Sequence, residues 1–507
     1  MATSLEKTNS PDSALKITTS SDDYEKDDGV RGREVSQAVS KKAALSSYMT
    51  IAAAGFGLIS DGYQNNLMTM ANVVFKKLYP TVYVSSVSTR VSNSLLVEGE
   101  VIGQIIVGLI CDRIGRKAAL VFTTLLIVIG AILATAAHGA HGSAHGLFWF
   151  MTFARGITGV GVGGEYPASS TSASEAANEK MVKNRGPVFI MVTNFVLSFG
   201  GPLAVSVFLI VLSAAGENHL NTVWRVCFGI GIILPLSVFY FRMRMLSPKL
   251  YRESAIKRRV PYWLAVKRYW RPLIGTCGAW FLYDFVTFPN GVFSGTIISS
   301  VIKDGSIRST AEWQLLLGAI ALPGVFVGAL LCNRLGRRNT MILGFSGYLV
   351  FGLIIGCAYE RITKIIPLFV IFYGLMQSMG NLGPGNMLGL VSAESYPTAV
   401  RGTCYGLSAA IGKTGAAVGT QAFTPIQNNL GKKWTFIIAA ICGVVGVLVT
   451  YFFVPDMTGQ DLAEEDERFM RYLAENGWTG EVGEDDELRL AGDRGMEDRE
   501  SGSDVKA

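Results

Sequence analysis

The sequence has little charge and almost no histidine for its length. Only 17% of its 507 residues are charged and four are histidine, whereas 50% are hydrophobic. A soluble chain of this length would fold as about two or three domains with considerably more charge. The composition therefore argues against a soluble protein and favours one that is embedded in a membrane.

The sequence also lacks the patterns that hold disulfides or metal ions. Its seven cysteines are scattered, lie in or at the ends of apolar runs, and have no metal-ligand spacing. His138, His141 and His145 crowd into the segment AHGAHGSAHG, which could indicate a metal site, but a small outer loop is the simpler interpretation. We expect no metal and no cofactor. Because no histidine is expected at membrane depth, a proton relay would have to use carboxylates.

Twelve apolar runs are long enough to cross a membrane. A hydrocarbon core of roughly 30 Å requires about 20 apolar residues per helix. The runs begin near Tyr48, Ser94, Ala118, Leu147, Pro187, Val223, Arg271, Trp313, Thr340, Lys364, Tyr405 and Trp434. The sequence therefore predicts an all-α membrane protein with twelve transmembrane helices.

A near-repeat relates the two halves of the chain. The segment GLICDRIGRKAAL at 108–120 resembles ALLCNRLGRRNTM at 329–341, and each lies between two apolar runs of helix length. Asp112 and Asn333 occupy the same place in the two copies, 221 residues apart. A short basic hairpin after the second helix of each half is typical of a duplicated membrane domain. It predicts a secondary transporter built from two parallel six-helix halves.

Charge is distributed unevenly along the chain. The segment 456–507 contains 17 acidic and 6 basic residues, whereas the rest of the chain carries a net charge of +17. Basic residues concentrate at 113–117, 244–271 and 334–338, and the positive-inside rule places these segments in the cytoplasm. Twelve crossings then place both termini in the cytoplasm. Membrane topology thus explains the basic charge without a nucleic-acid partner.

These patterns predict five regions. They are a disordered cytoplasmic N-terminal tail at 1–45, an N-terminal six-helix bundle at 46–245, a cytoplasmic connecting segment at 246–270, a C-terminal six-helix bundle at 271–455 and an acidic cytoplasmic tail at 456–507. The acidic tail begins with a predicted short helix, LAEEDERFMRYLAENG, and then becomes low in complexity.

Ionisable residues inside the apolar runs are the strongest functional signal. Placing a charge at membrane depth costs at least about 2.5 to 3.5 kcal/mol, so such groups usually mark a substrate or proton pathway. Asp61, Glu165 and Asp284 lie within runs, and Lys413 is the only basic residue deep within a run of the second half. The alternative is that some form internal ion pairs that only hold the halves together. For Glu98, both possibilities remain open.

The first basic hairpin contains the charge pattern of a conformational latch. Asp112, Arg113 and Arg116 can pair with neighbouring helix ends and latch the outward-open state without contacting substrate. In the second copy Asn333 replaces the acid, so we expect a weaker latch there.

Several of these motifs resemble the major facilitator superfamily. GLICDRIGRK is similar to its helix 2–3 signature, and ARGITGVGVGGEYPASSTSASE is similar to the helix-four signature of phosphate:proton symporters and sugar porters. The stretches at 163–179 (GGEYPASSTSASEAANE) and 280–300 (WFLYDFVTFPNGVFSGTIISS) resemble more specifically the fungal glycerophosphoinositol permeases.

The resemblance assigns roles to individual residues. It implies proton coupling by Asp61, Glu165 and Asp284, and substrate binding by Tyr166, Asn194, Trp280, Phe288, Asn386 and Lys413. Phe288 stands where phosphate symporters have a tyrosine, and Gly385 stands at their asparagine, with Asn386 next along the chain. A lost hydroxyl and a smaller residue fit a roomier pocket for a substituted phosphate.

The resemblance implies proton-coupled uptake of glycerophosphodiesters, with glycerophosphoinositol as the leading substrate, across the plasma membrane. The partners would be a small anionic substrate, protons as the coupling ion and the lipid bilayer. A phosphate:proton symporter is the alternative within transporters, and a nutrient sensor on a transporter scaffold is the alternative from another class. An enzyme is not expected, because no nucleophile–base motif or metal cluster is present.

Overall fold

The computed structural model describes residues 51–244, 248–256, 260–302 and 306–480. For residues 96–98, 180, 244 and 249 it describes the backbone and not the side chain. The predicted N-terminal tail at 1–45, the end of the acidic tail beyond 480 and the side chain of Glu98 therefore lie outside the described part. Within the described ranges the chain forms helices and no β-strand. The predicted all-α class is confirmed.

The helices follow one another with short connections. The N-terminal helices are α1 (Leu58–Leu78), α2 (Ser85–Asn93), α3 (Ile102–Arg113), α4 (Arg116–Thr135), α5 (Ala144–Met181), α6 (Arg185–Val192), α7 (Asn194–Ala215) and α8 (Leu220–Arg244). A short α9 (Lys249–Ser254) follows. The C-terminal helices are α10 (Tyr262–Val292), α11 (Ser294–Ser299), α12 (Ile307–Arg334), α13 (Arg337–Cys357), α14 (Tyr359–Ile362), α15 (Ile366–Gly380), α16 (Asn386–Glu394), α17 (Arg401–Leu430) and α18 (Lys433–Phe453), and α19 (Leu462–Glu475) ends the described chain.

Seven of these helical segments are long and apolar enough to cross a membrane by length and composition. They are Arg116–Thr135, Val182–Ala215, Glu217–Met243, Ile307–Arg334, Arg337–Cys357, Ile366–Glu394 and Lys433–Phe453. The long helices α10 and α17 begin several residues before the apolar runs of the sequence. Their first turns carry polar residues. The count of twelve crossings and the division into two bundles stay predictions.

Both copies of the near-repeat form the predicted hairpin. The α3–α4 turn passes through Gly115 with a φ of 135°, and the α12–α13 turn passes through Gly336 with a φ of 85°. Glycine adopts this backbone conformation without the steric cost that other residues pay. The two copies therefore turn at the same motif position for the same reason.

Two long helices contain a π-helical stretch. Ser94–Val101 joins α2 to α3, and Asn381–Gly385 joins α15 to α16. Such stretches interrupt the regular register of a helix and occur often at functional sites. Gly163 on α5 allows the first stretch to approach closely, because a Cβ there would lie 2.3 Å from the carbonyl oxygen of Glu100.

The helix predicted at the start of the acidic tail is present as α19. Its Phe469 and Leu473 are buried in an apolar cluster with Tyr269 and Tyr396 of the C-terminal helices. Asp466 accepts hydrogen bonds from the backbone N–H and hydroxyl of Thr398 at 2.6 and 2.7 Å. Burial raises the pKa of the Asp466 carboxyl, against the opposing effect of Arg401. The tail thus packs against the membrane helices through α19.

Candidate functional site

A cavity of about 210 Å³ lies between the N-terminal and C-terminal helices. Its polar lining comes from both sides and includes Asn65, Asn66, Tyr166, Asn194, Ser198, Trp280, Asp284, Thr287, Gln314, Gln377, Asn381 and Lys413. Ligand sites for drug-sized molecules usually occupy about 300 to 1,000 Å³. A cavity of this size and polarity fits a small, polar ligand.

Lys413 on α17 is the cationic centre of the site. Its ammonium lies 3.3 Å from a carboxylate oxygen of Glu100 and 3.5 Å from one of Asp284. All three side chains are at most 2% exposed. One buried ammonium is therefore shared by carboxylates from the N-terminal and the C-terminal helices. A buried ion pair that loses one partner becomes strongly unfavourable.

Asp61 lies behind this ion pair, outside the cavity lining. Asn65, one turn further along α1, donates a hydrogen bond of 2.6 Å to Asp61 and one of 3.1 Å to Glu100. The amide of Asn65 thus joins the two carboxylates. Asp61 is fully buried.

Two aromatic rings flank the ammonium of Lys413. Its nitrogen lies 3.6 Å from the ring centre of Phe288 and 4.9 Å from that of Tyr166. A cation over a ring face is stabilised by about 0.5 to 2 kcal/mol. The structure therefore brings Phe288 and Tyr166 to the predicted cation. Trp280 also lines the cavity and packs edge-on against Tyr405 at 5.5 Å.

Asn194 and Gly385 line the cavity, whereas Asn386 lies behind them. Asn194 donates a hydrogen bond of 2.7 Å to the amide oxygen of Asn386. The amide nitrogen of Asn386 in turn donates one of 3.0 Å to the carbonyl oxygen of Val325. Asn386 thus orients Asn194 in this conformation. Its predicted direct contact with substrate stays a prediction.

Glu165 lies away from the cavity. It pairs with the guanidinium of Arg242 on α8, and it accepts hydrogen bonds from Thr123 at 2.8 Å and Ser169 at 2.6 Å. All of its partners belong to the N-terminal helices. This is an ion pair within one set of helices and not one that holds the two halves together. The role of Glu165 in proton coupling stays a prediction.

The predicted latch residues separate into two groups. Asp112 accepts hydrogen bonds from the backbone N–H groups of Gly402 and Thr403 at 2.9 and 2.7 Å, at the start of α17. Arg116 contacts Asp112 at 2.7 Å and is fully buried. Arg113 is exposed and bonds the hydroxyl of Tyr262 at 3.2 Å. Asp112, and Arg116 through the carbonyl of Thr398 at 3.3 Å, therefore join the two sets of helices by buried contacts, whereas Arg113 joins them only at the exposed edge.

Two buried glutamates extend this contact region. Glu175 at the end of α5 pairs with Arg116 at 2.7 Å and with Arg401 of α17 at 2.8 Å. Glu394 at the end of α16 pairs with Arg337 at 3.1 Å and with Arg185 of α6 at 2.9 Å. Each glutamate thus joins the arginine of its own hairpin to an arginine of the other set of helices.

The second hairpin replaces the missing acid with other bonds. Asn333 accepts a hydrogen bond from Arg337 at 2.7 Å and donates one to the carbonyl of Lys183 at 3.0 Å. Asp112 makes charged contacts at the same motif position. A neutral amide forms weaker hydrogen bonds than a carboxylate does, and the weaker latch expected at this hairpin stays a prediction.

Six residues that complete these clusters do not stand out in the sequence: Glu100, Arg242, Glu175, Glu394, Arg185 and Arg401. The one sequence signal for Glu100 is that it lies two residues after Glu98, so that two acids occur in the same apolar run. In the described ranges, no group of three or more His, Cys, Asp or Glu side chains is arranged to hold a metal ion.

Comparison with known proteins agrees with this architecture. A family model described as "Sugar (and other) transporter" matches residues 48–255 and 248–469. Glycerophosphoinositol permease 1 of Candida albicans is 57% identical over 91% of this chain and 89% of its own length. Glycerophosphoinositol transporter 1 of Saccharomyces cerevisiae is 52% identical over 92% of this chain and 90% of its own.

The fold also matches a solved transporter. A structure of the proton:xylose symporter XylE, bound to 6-bromo-6-deoxy-D-glucose, superposes with a TM-score of 0.70 over 84% of this chain and 99% of its own, at 18% identity. The predicted major facilitator fold is therefore confirmed. The chain belongs to the sugar (and other) transporter family of the major facilitator superfamily, and is a multi-pass membrane transporter of a small molecule and not an enzyme.

Proposed function

We propose that this chain takes up glycerophosphodiesters by proton-coupled alternating access, with glycerophosphoinositol as its main substrate. The observation that carries this proposal is identity of 57% and 52%, over nine-tenths of the chain, to two fungal proteins named for glycerophosphoinositol transport. The central cavity supports it, because one buried ammonium faces a polar lining that can bind an anion with hydroxyl groups.

Lys413 would bind the phosphodiester. Its ammonium is held by Glu100 and Asp284. An anion that enters the cavity must compete with these carboxylates for the same cation. Asn194 and Trp280, which line the cavity beside it, would orient the rest of the substrate through hydrogen bonds and packing.

The surplus of carboxyl groups supports proton coupling. Asp61, Glu100 and Asp284 surround a single lysine. If all three were ionised, an approaching anion would meet net negative charge, so binding is favoured when protons neutralise one or more of them. Loss of a proton on the other side of the membrane would then repel the anion and promote its release. Proton and substrate would in this way move together.

The contact region around Asp112, Glu175 and Glu394 would close the cytoplasmic side of the cavity. Its ion pairs join the N-terminal and C-terminal helices, so they must separate when that side opens. We further propose that the protein resides in the plasma membrane with both termini in the cytoplasm. Accessibility of terminal tags in intact and permeabilised cells tests that orientation.

Inorganic phosphate is the alternative substrate. Four residues favour it, because the resemblance assigns their positions to phosphate binding: Lys413, Asp284, Tyr166 and Trp280. Phe288 and Gly385 oppose it: both line the cavity, and neither side chain offers a hydrogen-bond donor to a small phosphate.

Uptake by cells that lack their own transporters tests the proposal. Cells expressing the chain would receive labelled glycerophosphoinositol, glycerophosphocholine, glycerophosphoethanolamine or phosphate, each with the others as competitors. Saturable uptake of glycerophosphoinositol that excess phosphate barely inhibits supports the proposal. Preference for phosphate would replace it with the alternative. A cellular response to the ligand that survives in a transport-dead variant would favour a sensor.

A further inference from the structure

A second pocket, of about 530 Å³, lies between α2 and the last third of α17. The start of α17 meets the end of α3, which continues α2, at the first basic hairpin, so this pocket is on the opposite, predicted outer face. We call it the outer pocket; it is lined by Ser85, Ser86, Thr89, Arg90, Asn93, Ser94, Gln421, Thr424 and Pro425. These side chains are hydroxyls, amides, one guanidinium and one proline, and none is acidic.

Arg90 supplies the charge of the outer pocket. Its guanidinium carbon lies 3.9 Å from the ring centre of Trp149, which fixes the orientation of the group. Within the described chain Arg90 forms no ion pair, and its buried Nε has no hydrogen-bond partner. A guanidinium binds a phosphate group through paired hydrogen bonds, and that of Arg90 lines the outer pocket.

Asn93 forms the floor of the outer pocket. It is 6% exposed, and its amide oxygen accepts a hydrogen bond of 2.5 Å from the hydroxyl of Thr420 on α17. Its amide nitrogen is buried and has no hydrogen-bond partner among the residues that the structure describes. A buried N–H group without a partner carries a desolvation cost that a bound acceptor would remove.

An apolar layer separates the outer pocket from the central site. Leu95 and Ala416 are fully buried against each other, and Phe288 packs against them. The ring of Phe288 contacts the ammonium of Lys413 on the other side, at 3.6 Å. Thr420, Ala416 and Lys413 lie on one face of α17, at spacings of four and three residues. The outer pocket thus lies on a direct line to the central cation.

We infer that the outer pocket is a first binding site for anionic, polyhydroxylated substrates, before they reach Lys413. This inference rests on the proposed function. Arg90 binds the phosphodiester, and the surrounding hydroxyl and amide groups bind the hydroxyls of the head group. The hydrogen bond between Asn93 and Thr420 and the apolar layer below it separate this first site from the central one.

Kinetics of uptake test the inference in transport-null cells expressing the full chain. Initial rates are measured over a range of external glycerophosphoinositol concentrations at low and high salt, for wild type, Arg90→Gln, Arg90→Lys and Arg308→Gln. Arg308 is the matched control, because it is an exposed arginine on the same predicted face, paired with Glu312 and outside the pocket. Amounts in the membrane are matched by quantitative labelling.

We expect Arg90→Gln to raise the KM about three- to tenfold and to weaken the salt dependence of uptake, with a nearly unchanged maximal rate. Arg90→Lys keeps the charge but loses the paired hydrogen bonds, so its KM should lie between that of the wild type and that of Arg90→Gln. Arg308→Gln should behave as wild type. If Arg90→Gln fails to reach the membrane, Ser86→Asp, which adds a negative charge at an exposed position of the pocket, should raise the KM in the same way.

An unchanged KM in both Arg90→Gln and Ser86→Asp, or an equal effect of Arg308→Gln, would overturn the outer pocket as a binding site. A wild-type chain that carries no glycerophosphoinositol would instead overturn the proposed function. The two failures are therefore distinguishable in the same experiment.

Discussion

Lys413 of α17 and Glu100 of the π-helical stretch Ser94–Val101 lie 3.3 Å apart, and their ion pair joins the C-terminal helices to the N-terminal helices. Both side chains are almost fully buried. An anion that binds Lys413 must weaken this pair. Under the proposed function, substrate binding would therefore act directly on a contact between the two sets of helices that alternating access requires to move.

Replacing Lys413 with alanine should reduce uptake by about a hundredfold or more, without preventing membrane insertion. The variant loses the central cation, so a charged substrate would enter a buried site without a partner. Uptake and the amount of protein in the membrane are measured together. Lys433→Ala, at an exposed lysine at the start of α18, is the control. Unchanged substrate affinity in the purified Lys413→Ala protein would remove Lys413 from the site.

Uptake by the wild type should increase as the external pH falls from about 7.5 to 5, and it should collapse with a protonophore. In Glu100→Gln the dependence on pH should become flatter, because one of the carboxyl groups around Lys413 can no longer release a proton. Glu312→Gln, on the exposed surface, should keep the wild-type profile. A strict sodium requirement, or a wild-type rate that is indifferent to pH, would contradict proton coupling.

Phe288→Tyr should shift preference towards inorganic phosphate. The ring lies 3.6 Å from the ammonium of Lys413 and lines the cavity, so an added hydroxyl offers a donor that a small phosphate can use. One charge-assisted hydrogen bond contributes about 1.5 to 3 kcal/mol, which limits the shift to roughly ten- to a hundredfold. The ratio of phosphate to glycerophosphoinositol uptake measures it.

The control for position 288 is Phe285→Tyr, on the same helix. Phe285 packs against Phe281 and Phe423 and does not line the cavity. Its substitution should leave the ratio of the two substrates unchanged. If Phe288→Tyr leaves that ratio unchanged as well, or moves it towards the diester, the residue does not determine selectivity.

Arg116→Gln should destabilise the protein far more than Arg113→Gln. Arg116 is buried between Asp112 and Glu175, and removing it takes one cation from both carboxylates, at a cost of up to about 3 to 5 kcal/mol. Glu175 then keeps only Arg401 as a cationic partner among the described residues. Arg113 is exposed and bonds only a tyrosine hydroxyl. Thermal unfolding in detergent and uptake rate are compared for the two variants. Equal effects would show that the latch does not depend on the buried pair.

Much of the fold could be predicted from the sequence because membrane helices produce long apolar runs and the near-repeat marks the hairpins. Lys413 and Asp284 were found for the same reason, since ionisable residues stand out in such runs. Glu100 was missed because Glu98 lies two residues earlier, and composition alone does not tell which acid faces inwards. The π-helical stretch adds to the difficulty, because it shifts the register of the helix.

The long-range ion pairs could not be predicted from one sequence. Glu175 and Arg401 are 226 residues apart, and Arg185 and Glu394 are 209 apart. No local pattern relates such distant residues. Glu165 shows the converse problem: its position in an apolar run predicts function, but its partner Arg242, which the sequence did not reveal, makes it part of an internal ion pair.

The most direct measurement is uptake of labelled glycerophosphoinositol by transport-null cells that express the wild type or Lys413→Ala, at external pH values of about 5 and 7.5, with and without excess unlabelled phosphate. We predict saturable wild-type uptake that is faster at the lower pH and only weakly inhibited by phosphate, and no uptake by Lys413→Ala. Wild-type uptake that phosphate abolishes, or equal uptake by the two proteins, would contradict glycerophosphodiester transport through Lys413.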